Sequence, residues 1–100
     1  MSVTCNSIAE VREQIDRLDR QIVALLAERG GYVAQAARFK NDSDAVKAPQ
    51  RVEQVIAKVR SLAVDLDASP EVTEQVYRAM ISAFIQQELA EHARLNASTN

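Results

Sequence analysis

A chain of 100 residues with 47% apolar side chains but only two glycines and two prolines fits one domain built from a few long helices. The same scarcity of turn residues excludes an architecture of many strands and loops. A net charge of −2 gives no general reason to expect nucleic acid or an anionic membrane as partner, so basic residues must matter locally or not at all.

At the N-terminus no basic start leads into an apolar run, and no stretch of the chain approaches membrane-spanning length. A cytoplasmic protein is expected. Cys5 is the one cysteine; it has no internal disulfide partner and no neighbours at metal-ligand spacing, so it reads as a plain thiol. Asn6 or Ser7 offers an N-cap for the first helix. Ile8, Val11, Ile15, Leu18, Ile22, Leu25, Arg29, Tyr32, Ala36 and Phe39 then step by threes and fours without a break. That is a heptad seam, and it predicts a helix from about Ser7 to Lys40, roughly 50 Å long. A 100-residue globule has no diameter that long to cover it, and the simplest partner along the whole seam is a second copy of the chain.

Asn41 to Ala48 is polar and reads as a mobile loop. Pro49 suits the first turn of a second helix, with Val52, Val55, Ile56, Val59, Leu62 and Ala63 as its inner face. Asp65 to Ala68 form a short connection. Ser69-Pro70-Glu71 reads as an N-cap, a proline at the first helical position and an acid in the first turn. The third helix should run to about Leu95 with Val72, Val76, Tyr77, Met80, Ile81 and Phe84 inward, followed by a disordered tail. The glycosylation pattern at Asn96-Ala97-Ser98 is taken as chance. The expectation is a single all-α domain over residues 1–100, with its core in about 8–95.

Two residues violate this pattern. Arg29 occupies a seam position, where it either snorkels outward, pairs with a carboxylate such as Glu28 of a neighbouring chain, or forks onto an anionic ligand. Lys40 lies eleven residues on, about 20° around an ideal helix and roughly 16 Å along it, so the two cations would share a face. Arg12 is roughly 25 Å from Arg29 on another side, and joins such a site only from a second subunit. Glu88 is the second violation, at the next inward position after Tyr77, Ile81 and Phe84. Gln87 competes for that role on the stripe of Met80 and Phe84. Asp16, Asp19, Glu53 and Glu91 read as solvated faces and helix-stabilising pairs, and His92 as an exposed residue near a helix end. No phosphate loop, Cys/His metal cluster or nucleophile with its base is present, and no metal or cofactor is expected.

The run IAEVREQIDRLDRQIVALLAERGGYVAQAARFK resembles the first helix of the all-helical chorismate mutases. The chain length, the loop after RFK and the two shorter helices are similar as well. RFK followed by a loop ending in APQRV is more similar to the isochorismate pyruvate lyase branch of that family. The resemblance implies three helices per chain in an intertwined homodimer with two sites, each built mostly within one subunit and completed by Arg12 of the partner subunit. It implies that Arg29 clamps a substrate carboxylate and that Lys40 binds a carboxylate and the ether oxygen of the breaking bond. Arg51 falls at the position of a substrate-binding arginine, although its neighbours differ from the mutase pattern. Glu88 falls where many members carry glutamine and some glutamate.

Three readings follow. The first is a chorismate mutase making prephenate for aromatic amino acids. The second is an isochorismate pyruvate lyase releasing salicylate and pyruvate. The third is a non-catalytic helical dimer or regulatory module. The loop leans to the lyase, Glu88 leans to the mutase, and the intact set of cations argues against the third. The mutase is taken as the leading reading, with a small dianion as substrate.

Overall fold

The computed structural model describes residues 3–40 and 42–98, and the regular structure in them is entirely helical. The helices are α1 (Ile8–Ala37), α2 (Ser43–Lys47), α3 (Pro49–Asp65) and α4 (Pro70–Ser98). The chain divides into two compact units, Met1–Val33 and Ala34–Asn100, with the division inside α1.

Ser7 is the residue that caps α1. Its Oγ accepts the Glu10 N–H at 3.1 Å while Glu10 Oε2 accepts the Asn6 N–H at 2.7 Å, a capping box shifted by one residue. The 30 residues of α1 give a rod of about 45 Å. Along it the heptad positions remain open in the single chain, from Val11 at 38% exposure to Leu25 at 63%.

The helix stops at Ala37, short of the expected Lys40. The amides of Arg38, Phe39 and Lys40 reach back only three residues, to the carbonyls of Gln35, Ala36 and Ala37 at 3.0–3.1 Å. Such i→i+3 bonds tighten a helix end and rotate the chain out of α-helical phase. Lys40 thus lies beyond the α-helix, and the angle that ties it to Arg29 on an ideal helix does not apply to it.

The segment read as a loop contains a turn of helix. Asp42 caps α2, accepting the Ala45 N–H on Oδ1 at 2.9 Å and the Val46 N–H on its carbonyl at 3.3 Å. Val46 is buried and α2 lies against α4. Asn41, which opens the expected loop, lies outside the described residues.

Pro49 begins α3, where its missing N–H costs nothing. Ile56, Val59 and Ala63 are buried along a 3-4 stripe, flanked by half-buried Val52 and Val55. Leu62, expected on the inner face, is exposed: that narrow stripe takes the contact with α4, and Leu62 falls to its flank. The end of α3 is a Schellman motif. The Ala68 N–H bonds to Ala63 O at 2.7 Å and the Asp67 N–H to Val64 O at 3.3 Å, with Asp67 left-handed at φ 59°.

Ser69 caps α4 through its Oγ and the Val72 N–H at 3.2 Å, with Pro70 at the first helical position. Tyr77, Met80, Ile81 and Phe84 are half-buried as expected, and Ile85, Glu88, Leu89 and His92 continue that face. Val72 and Val76 are exposed instead of inward, because Thr73, Glu74 and Tyr77 occupy the covered side of that turn. His92 is half-buried rather than exposed. The helix continues past Leu95 to Ser98; Thr99 and Asn100 of the expected tail lie outside the described residues.

Arginines lace α3 to α4. Arg78 forks onto both oxygens of Glu53 at 2.9 Å and donates to Glu74 at 2.7 Å; Arg60 donates to Glu74 at 2.8 Å. Since Glu53 pairs with Arg78 and Arg60 with Glu74, the two helices run antiparallel. Hydrogen bonds from Arg78 hold the carboxyls of Glu53 and Glu74 below their usual range, and the two carboxylates raise the guanidinium in turn. Glu53 is therefore a cross-helix partner as well as a member of a solvated face. No helix among the described residues is long and apolar enough to cross a membrane.

Candidate active site

The inward face of α4 changes character at Glu88. Tyr77, Ile81 and Phe84 lead to it at helical spacing, and Leu89 and His92 continue beyond it. Its side chain keeps only 11% of its exposure, so the carboxylate needs a partner. Lys40 supplies one, with Nζ 3.4 Å from Oε2 across 48 residues of sequence. The lysine is itself 26% exposed. Gln87, the competing candidate, is exposed, so of the two Glu88 lies on the covered face.

The Lys40–Glu88 contact follows from local structure at both ends. The tightened turn after Ala37 takes Lys40 out of helical phase, and α2 then holds the following chain against α4 through Val46. Nothing in the sequence singles out Val46 except its being the one large apolar side chain in a polar run.

Arg51 lies in the first turn of α3, exposed, and makes no hydrogen bond or ion pair with the described residues. Arg12, on the exposed N-terminal half of α1, likewise has none. Arg29 is half-buried on α1 and is followed by Gly30 and Gly31. Within Ala34–Asn100 the structure thus brings Lys40 and Glu88 together, while Arg51 stands apart as an unpaired cation; Arg12 and Arg29 belong to the other unit. No group of His, Cys, Asp and Glu among the described residues could hold a metal ion.

Lys40 and Glu88 thus form a part-covered ammonium–carboxylate pair within Ala34–Asn100. Comparison with known proteins is decisive here: the model of the chorismate mutase type II family matches residues 11–89. The chain belongs to the chorismate mutase type II family.

Arg12, Arg29, Lys40, Arg51 and Glu88 all fall inside the matched span. Two curated relatives of this mutase-family chain bear different names. One, from Pseudomonas aeruginosa, is named isochorismate pyruvate lyase and is 32% identical over 85 residues, covering 85% of this chain and 84% of the relative. The other, from Methanocaldococcus jannaschii, is named chorismate mutase and is 25% identical over 75 residues, covering 74% and 76%.

Proposed function

We propose that the chain is a chorismate mutase that works as a homodimer in the cytoplasm, converting chorismate to prephenate without metal or cofactor. The whole chain is read as one domain. The observation that carries this reading is the Lys40–Glu88 pair on the covered face of α4, in a chain of this family. Support for the dimer comes from α1, whose heptad side chains from Val11 to Leu25 are exposed in the single chain. A seam of that length is stable in water when a second copy covers it.

The chemistry is pericyclic: the enolpyruvyl C–O bond breaks as a C–C bond forms, with no covalent intermediate and no net proton transfer. The protein has to hold a dianion in its compact reactive conformer and to face cations toward the oxygen that gains charge. Arg29 would fork onto one carboxylate, Lys40 would meet the other and the ether oxygen, and Arg51 and the partner's Arg12 would complete the binding of the dianion. Glu88 accepts a hydrogen bond from Lys40; to donate one to the ether oxygen it must carry a proton.

The alternative is an isochorismate pyruvate lyase, favoured by the 32% identity to the Pseudomonas relative and by the RFK and APQRV segments. Isochorismate is also an enolpyruvyl dianion, and the same cations would serve it. Incubating the pure protein separately with chorismate and isochorismate, and assaying prephenate and salicylate, distinguishes the two. Prephenate formation is expected; salicylate without prephenate selects the lyase, and neither product returns the chain to a non-catalytic helical dimer.

A further inference from the structure

Two features of the segment between Lys40 and α3 act against each other. Val46 is only 4% exposed, buried where α2 meets α4. The five residues of α2 are too few to hold their own helix in place, so this contact anchors them. Two residues on, Ala48 lies in the left-handed region at φ 33° and ψ 63°, where its Cβ crowds the backbone. As the residue before Pro49 it is biased toward extended backbone. Burial of Val46 thus keeps the segment on α4 while the strain at Ala48 favours release. Lys40 reaches the same helix, with Nζ 3.4 Å from Glu88 Oε2. A contact of that length from a quarter-exposed ammonium holds less strongly than a buried valine.

We propose that Val46 is a positioning residue: its burial against α4 keeps Lys40 beside Glu88, and it does so against the strain at Ala48. The inference rests on the reading of Lys40 as part of the mutase site, and adds that the lysine's place is set six residues away. The segment then has two forms. In the anchored form Val46 is buried and Ala48 left-handed; in the released form Ala48 is extended and Lys40 has left α4. Substrate binds the anchored form. A substitution that shifts the balance therefore changes KM through the anchored fraction and leaves kcat of the bound complex nearly unchanged.

The test compares the parent protein with V46A, A48G and V46A/A48G by hydrogen exchange, by trace acetylation with acetic anhydride and by chorismate kinetics. The Ala45 amide, bonded to Asp42 Oδ1 in the anchored form, should lose about tenfold in protection in V46A. The amides of Val59 and Ala63 in the α3 core should keep theirs, which separates local release from unfolding. Acetylation of Lys40, counted against exposed Lys58, should rise about threefold. KM should rise about fivefold with kcat within about twofold. A48G removes the strain that favours release, so V46A/A48G should recover most of each loss. Should V46A unfold, A48G alone carries the test, with about fivefold more protection at Ala45 than the parent. Unchanged protection in both single variants would overturn the proposal, as would a double variant no better than V46A. So would release of α2 that leaves Lys40 acetylation or KM unmoved. A parent that turns over no chorismate overturns the mutase reading instead, and exchange and acetylation, which need no turnover, still decide whether Val46 holds Lys40.

Discussion

Glu88 and Gln87 are adjacent in sequence, yet one is covered and paired with Lys40 while the other is exposed. At this turn of α4 an acceptor, which takes a hydrogen bond from Lys40, stands where glutamine would be a donor. In the proposed mutase site Glu88→Gln should therefore change chorismate turnover, read as kcat against KM; unaltered constants would count against Glu88 at the reacting atoms. Asp67 offers an independent residue-scale check. It holds the left-handed position of the Schellman motif, where glycine has no Cβ penalty, and it places an acid at a helix C-terminus. Asp67→Gly should stabilise the protein by about 1 kcal/mol in urea denaturation; destabilisation would mean that the Asp67 side chain makes contacts worth more than its strain.

At the scale of elements, α3 and α4 are joined by a network in which Arg78 links Glu53 and Glu74 and Arg60 adds a second contact to Glu74. The carboxyls of Glu53 and Glu74 are lowered in the folded protein, Arg78 being the main cause. Groups with a lowered folded value contribute stability above their unfolded value and lose it as pH falls through the folded one. The helical hairpin should thus weaken as pH drops below about 4.5, the ordinary value of these carboxyls. Melting scans of the parent and Arg78→Met across that range should show a steeper loss in the parent; parallel curves would remove the network from the account of acid stability. For α1 the open seam makes a sharper demand. Ile22→Glu puts a charge where burial of the isoleucine is worth about 1.5–3 kcal/mol per copy. Sedimentation velocity should find a dimer in the parent and a monomer in the variant, whereas identical sedimentation would place the interface elsewhere.

Much of this was legible in the sequence because it is local. The heptad steps of α1, the caps at Ser7 and Ser69, the prolines opening α3 and α4, and the inward stripe from Tyr77 to Phe84 depend on residues within a few turns of one another. What was not legible depends on tertiary contact. The five residues of α2 are too few to specify a helix alone and are held by the burial of Val46. Likewise the exposure of Leu62, Val72 and Val76 reflects how narrow the α3–α4 contact is. Lys40 was found as a candidate, but its place was not, because periodicity does not announce where a helix tightens into i→i+3 bonds.

For the whole molecule, the site proposed above is one that a single chain would not complete. In the proposed dimer Arg29, Lys40 and Glu88 would come from one subunit and Arg12 from the partner. Arg12→Ala and Arg29→Ala should each abolish nearly all chorismate turnover, while neither needs to disturb dimerisation. The decisive measurement mixes the two inactive variants, exchanges their subunits, and follows prephenate. In each mixed dimer one site regains both arginines and the other loses both, so random exchange should restore about a quarter of the parental turnover per subunit. Mixed dimers that form but remain as inactive as either variant alone would contradict the shared site, and with it the account of how this chain holds its substrate.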